Sequence, residues 1–139
     1  MKIAVVGLGY VGLSNSVLLA QNNEVVGFDI SHKRVDQVNQ RICPIDDPEI
    51  RDFLKKPDLN LVATTSEKIA YSNAKFIIVA TPTNYDSHLN YFDTSSVEAV
   101  VESIIKINPD ATIVIKSTIP VGFVDRISEE KDTKQVIFS

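Results

Sequence analysis

Residues 3–12 read Ile-Ala-Val-Val-Gly-Leu-Gly-Tyr-Val-Gly, and this stretch decides the fold class. The unbroken apolar run at 3–6 is what a strand covered on both faces looks like. Gly7, Gly9 and Gly12 then form a G-x-G-x-x-G pattern that begins one residue after the strand and opens a helix. Each glycine answers a different need. Gly7 permits a tight turn, Gly9 lets a pyrophosphate approach the backbone, and Gly12 lets the helix pack close to the strand. Residues 3–23 carry no charge, as a secretory leader or membrane span would not. The glycines, followed by Asn15 and Ser16, break the run too often for either.

Outward from this loop, residues 11–21 read as a helix with Leu18 and Leu19 on its buried side. Residues 24–29 form the second strand and end on Asp29, 20 residues beyond Gly9. A carboxylate there can accept hydrogen bonds from a ribose 2′- and 3′-hydroxyl and would repel a 2′-phosphate, so NAD is expected rather than NADP. Lys33 and Arg34 are the opposing evidence, because cations beside Asp29 could hold that phosphate. The helix start at Gly9–Gly12 would offer free N–H groups to anionic phosphates.

Strand and helix patterns alternate along the rest of the chain. Ser31 is expected to cap a helix running to residue 41, with Val35, Val38 and Ile42 at helical spacing. Asp47 opens a short helix carrying Ile50, Phe53 and Leu54. Strands are expected at 61–64, 75–80, 112–115 and 136–138, and short helices at 66–72 and after Pro120. Residues 81–92 read as a polar, aromatic loop, and Ser95 with Glu98 as a capping box for a helix lined by Val97, Val100, Val101, Ile104 and Ile105. The expected fold class is α/β: a three-layer, doubly wound, mainly parallel sheet in a single domain.

Two later loops follow strands whose C-terminal ends should face the same crevice. Thr81-Pro82-Thr83-Asn84 offers hydroxyls and an amide that suit a cofactor ribose or pyrophosphate equally well as a capped turn. In the run from Lys116 to Gly122, Ser117 and Thr118 stand before Pro120, where a hydroxyl could orient water or a nicotinamide ring, or simply cap a helix. His32 and His88 lack metal-ligand spacing, so no metal site is expected. Cys43 is the single cysteine, which excludes an intrachain disulfide and suits a cytoplasmic protein; it reads as a packed residue rather than a nucleophile. The 139 residues fit one domain, and 14 Lys+Arg against 18 Asp+Glu give a net charge of −4, which argues against a nucleic-acid binder.

Taken together, KIAVVGLGYVGL, VVGFDI, the Pro44-Ile45 pair, ATPTNYDSHLNYFDTS and KSTIPVG resemble the N-terminal, Rossmann-type NAD-binding domain of the bacterial nucleotide-sugar dehydrogenases. The resemblance is nearest to members acting on UDP-glucose. It implies an oxidoreductase that converts UDP-glucose to UDP-glucuronate in two NAD-dependent steps, usually as a homodimer. It implies cofactor contacts at Tyr10, Val11, Asp29, Arg34, Thr83 and Thr118, with Thr118 also placing water or substrate in the second oxidation. Arg34 stands where lysine is common, and Asp47-Pro48-Glu49 replaces the family's Glu-Pro-Gly. The family's catalytic cysteine and its supporting residues lie further along the chain in a Cys-Phe-Pro-Lys-Asp context that Cys43 does not match. Residues 1–139 are therefore expected to be a cofactor domain without the central helical and UDP-binding regions, able to bind NAD but not to turn over. Two other readings stay open: a stand-alone nucleotide-responsive regulatory module, and a dehydrogenase of UDP-N-acetylmannosamine or GDP-mannose.

Overall fold

The computed structural model describes residues 1–81, 84–86, 91–93, 95–117 and 136–138. β1 (Lys2–Val6) leads through the glycine turn into α1 (Tyr10–Leu19), β2 (Glu24–Phe28) and α2 (His32–Asn39). α3 (Pro48–Leu54), β3 (Leu61–Thr64), α4 (Glu67–Tyr71) and β4 (Phe76–Val79) follow. The remaining elements are β5 (Asn84–Asp86), β6 (Tyr91–Asp93), α5 (Ser95–Ile107), β7 (Thr112–Ile115) and β8 (Val136–Phe138).

Six strands form one sheet in the order β3-β2-β1-β4-β7-β8, every neighbouring pair parallel. The chain winds outward from β1 to β3, returns to the far side of β1 as β4, and winds outward again. The reversal between β1 and β4 opens a crevice at the C-terminal ends of those strands, where open α/β sheets take ligands. The register is tight there, with Val6 opposite both Phe28 and Val79.

Strand alternation builds the two faces. Ile3, Val5, Val25, Leu61 and Ile78 pack with α1, α2 and α3, whereas Ala4, Val6, Ile77, Val79, Ile113 and Ile115 pack with α4 and α5. This is the expected three-layer, doubly wound α/β arrangement. Three helix starts carry the side-chain cap that their sequence calls for: Ser31 Oγ accepts from Arg34 N at 3.2 Å, Asp47 Oδ1 from Ile50 N at 3.0 Å, and Ser66 Oγ from Ile69 N at 3.3 Å. α5 is helical from Ser95 itself, and residue 94 before it lies outside the described residues.

Three local expectations give way. α1 buries Gly12, Leu13, Ser16 and Val17, while Leu18 is exposed and Leu19 only half-buried. The helix is uncharged on every side, so hydropathy does not mark its inner face; the close seat of Gly12 does. α2 ends at Asn39 rather than 41. Arg41 adopts a positive φ of 62°, its N–H donates to Val38 O and the Ile42 N–H to Gln37 O, which is a Schellman closure. Ile42 is thereby turned outward. The Arg41 Nη2 donates to Leu59 O and Leu61 O, and the Asn39 amide both donates to Ala63 O and accepts from Ala63 N. Finally, the stretch read as a loop holds an antiparallel hairpin, β5 against β6, with Tyr85 in register with Phe92. Aromatic residues favour strands, and the polar neighbours masked that preference. The expected helix after Pro120 lies outside the described residues.

Candidate functional site

The glycine loop owes its shape to three different steric demands. Gly7 has φ of 91°, and a Cβ there would stand 2.9 Å from Ala80 O at the end of β4. A Cβ on Gly12 would lie 1.6 Å from Gly7 O, so α1 can start against this turn only without a side chain. Gly9 is the exception, because a Cβ there would meet nothing within 4 Å. Its lack of a side chain serves open space, which is what a ligand approaching the backbone requires. Gly9 is also the N-cap of α1, with no side-chain cap and no acidic residue in the first turn. Helical geometry leaves the first-turn N–H groups without intrahelical acceptors, and the helix dipole favours an anion in front of them.

Asp29 ties this loop to β2. Its Oδ2 accepts from Leu8 N at 2.9 Å and faces Arg34 Nη1 at 3.4 Å, and its Oδ1 accepts from Ser31 N at 2.9 Å. A carboxylate has about four acceptor sites, so a further hydroxyl can still be served. The residue is buried, while Arg34 stays partly exposed at the rim. Leu8 is fully buried and lies across Gly27, where a Cβ would fall 2.7 Å from its Cδ2.

Two cavities meet at this carboxylate. The first, about 480 Å³, is lined by Gly9, Tyr10, Val11, Thr81, Lys116 and Ser117 together with Gly7, Asp29 and Arg34. The second, about 500 Å³, shares Gly7, Asp29, Arg34 and Thr81 and continues over Phe28, Ile30, Ser31, Ser96 and Val100. Both fall within the size range of small-molecule sites. The first runs along the helix start and the mouth between β4 and β7. The second is walled by apolar side chains, and Ile30, 84% exposed, offers one open face. One polar groove and one apolar slot, joined at a carboxylate, suit a ligand with a charged middle and a flat apolar end.

The family model described as "UDP-glucose/GDP-mannose dehydrogenase family, NAD binding domain" matches residues 1–137. The chain belongs to this family. Its cofactor is accordingly NAD, and the glycine cradle, with open space over Gly9 and an uncapped helix start, fits that group. The UDP-glucose 6-dehydrogenase of Streptococcus pneumoniae is 48% identical over 139 residues, which is all of this chain and 35% of that protein. The UDP-glucose 6-dehydrogenase of Campylobacter jejuni is 43% identical over 141 residues, covering 36% of that protein. Among solved structures, the ternary complex of GDP-mannose dehydrogenase from Pseudomonas aeruginosa matches with a TM-score of 0.85 and 25% identity, over 99% of this chain and 35% of that one. The chain thus spans about a third of the length of the relatives it matches.

Within this NAD-binding domain, Gly7, Gly9, Tyr10, Val11, Asp29, Arg34, Thr81 and Ser117 all line the first cavity. Gly12 stands behind the wall rather than in it. Tyr10 and Val11 are exposed at the helix start. Pro82, Thr83 and Thr118 lie outside the described residues. Ile30, Ser96, Val100 and Lys116 also line the two cavities, and none of them was given a site role from sequence. An apolar residue directly after the acid of β2 was the available signal for Ile30, and a glycine inside a strand was the signal for the Leu8–Gly27 contact. Cys43 is half-buried between α2 and α3, and its Sγ lies 3.0 Å from Ile45 O, away from both cavities. Among the described residues no group of His, Cys, Asp and Glu could hold a metal, and no helix is long and apolar enough to cross a membrane.

Proposed function

We propose that this chain is the cofactor-binding part of a UDP-glucose 6-dehydrogenase, and that its own share of the reaction is to hold NAD. When bound, NAD supplies the acceptor for the hydride removed from a sugar alcohol. The α1 start and the backbone at Gly9 receive the pyrophosphate. Asp29 accepts from the adenosine ribose, Arg34 closes the rim, and Ile30 with Val100 takes the adenine face. Tyr10, Val11, Thr81 and Ser117 border the path of the nicotinamide half, and the family resemblance adds Pro82, Thr83 and Thr118 as cofactor contacts, with Thr118 the candidate for work on substrate or water. The observation carrying this reading is the pairing of an open, uncapped Gly9 with the buried carboxylate of Asp29. UDP-glucose is favoured over other sugar nucleotides because the relatives at 48% and 43% identity are named for it, whereas the GDP-mannose 6-dehydrogenase of Pseudomonas aeruginosa is 34% identical.

Calorimetric titration with NAD⁺ and NADP⁺ tests the cofactor assignment. Saturable NAD⁺ binding with NADP⁺ at least about tenfold weaker is expected, since the 2′-phosphate would meet the Asp29 carboxylate. Equal affinity for both, or no binding to a folded sample, would refute it.

A further inference from the structure

The parallel ladder between β4 and β7 ends at the pair Val79–Ile115. Beyond it, Lys116 N and Ser117 N both donate to Val79 O, at 2.8 and 3.2 Å. The next carbonyl on the β4 side, Thr81 O, is met by a side chain: Ser117 Oγ donates to it at 2.6 Å. The same hydroxyl lies 3.3 Å from Val79 O, a distant second acceptor. A side-chain hydroxyl thus ties the two strand ends together beyond the last ladder pair. Ser117 is buried, with 6% of its surface exposed, so water competes weakly for the bond.

From this geometry we propose that Ser117 is a positioning residue for the dinucleotide. By clasping the Thr81 carbonyl it fixes the separation of the β4 and β7 ends, and hence the width of the first cavity. The proposal rests on the NAD reading above and deepens it. It assigns Ser117 a different task from direct cofactor contact, since its one proton is spent on Thr81 O. Thr81 lines both cavities, whereas Ser117 borders only the first. Losing the clasp therefore acts on the half of the ligand that enters the β4–β7 mouth and spares the half seated at Asp29 and Ile30.

The test compares Ser117→Ala and Ser117→Thr with the unaltered chain, using NAD⁺ and AMP as separate probes. Ser117→Ala is expected to weaken NAD⁺ binding about tenfold, the consequence of losing one well-made hydrogen bond at the site wall. AMP binding should stay within about twofold, by the same conversion of free energy to affinity. Ser117→Thr, which keeps the hydroxyl, should restore NAD⁺ affinity. Parallel loss of both ligands, unchanged NAD⁺ binding, or a threonine variant no better than alanine would overturn the proposal. Hydrogen exchange without ligand separates this from the cofactor assignment. Ser117→Ala should accelerate exchange in peptides from the β4 and β7 ends but not in those from β1 and β2. If the unaltered chain binds no NAD⁺ yet shows that pattern, the clasp stands and the cofactor assignment falls. Uniform exchange across the variants removes the clasp whatever binds.

Discussion

Replacing Gly12 by alanine would place a methyl carbon 1.6 Å from the Gly7 carbonyl oxygen. Real Cβ contacts essentially never fall below 3.0 Å, so α1 or the Gly7 turn must retreat by 3.0 − 1.6 = 1.4 Å. The Gly7 turn has little room to move, because its φ is 91° and its N–H is bonded to Phe28 O at 2.8 Å. Overpacking of this severity costs about 3 kcal/mol or more, offset by about 1 kcal/mol from the better helix propensity of alanine. A net loss of about 2 kcal/mol corresponds to a melting temperature lower by roughly 6–8 °C for a domain of this size. Gly9→Ala is the matched control. Its φ of −78° suits any residue and its Cβ meets nothing. That substitution should cost about 1 kcal/mol or less, as alanine is only a poorer N-cap. It should nonetheless weaken NAD⁺ binding at least about tenfold, since the methyl stands where the ligand meets the backbone. Thermal melts followed by circular dichroism, with calorimetric titration of each variant, read both effects. A Gly12→Ala protein that melts normally, or a Gly9→Ala protein that binds NAD⁺ normally, would refute the division of labour assigned to the loop.

Asp29→Asn should lower stability by about 1–3 kcal/mol, because one amide oxygen cannot serve both Leu8 N and Ser31 N and a buried N–H is left unpaired; it should also narrow the NAD⁺ over NADP⁺ preference. Denaturant melts and paired titrations check both, and an unchanged preference would count against the ribose assignment. Tyr71 is fully buried against Phe28, with ring centroids 5.8 Å apart, and its hydroxyl has no hydrogen-bond partner among the described residues. Burial, with the nearby Glu67 charge adding, pushes its phenol well above the ordinary range. The folded state therefore favours the neutral phenol, and the resulting stability is present below the unfolded pKa of about 10 and lost as pH rises beyond it. Tyr71→Phe should leave the neutral-pH denaturation midpoint unchanged or raised and flatten its alkaline decline. A loss above about 1 kcal/mol would show that the hydroxyl has a partner after all.

The glycine loop and the helix starts at Ser31 and Asp47 were legible because each is a local steric or hydrogen-bonding demand that a few adjacent residues meet. The inner face of α1 was not, since a helix without charges carries no polar side to contrast with Leu18. Ile42 fitted a helical period that Arg41 interrupts, and a positive φ at arginine leaves no mark in composition. The second cavity was hidden for another reason. Ile30, Ser96 and Val100 meet only once the strand order places β2 and the start of α5 around one carboxylate. The same holds for Ser117, whose hydroxyl could as well have faced a ligand until β4 and β7 became neighbours.

The end of α2 has a second consequence. β3 is the outermost strand on its side of the sheet. The bonds from Val25 N to Asn60 O and from Asp29 N to Thr64 O mark the even-numbered residues as its inward-facing rungs. The odd-numbered groups look outward, and there Arg41 takes the carbonyls of Leu59 and Leu61 while Asn39 takes both the N–H and the carbonyl of Ala63. An unclaimed row of such groups is a template on which a foreign strand, or the same strand of another molecule, can add. With Val62 exposed beside it, that margin would otherwise be an adhesive one. Two side chains from one helix end imitate the missing seventh strand, so the sheet is closed to self-propagation at β3 without a residue being spent on extending it.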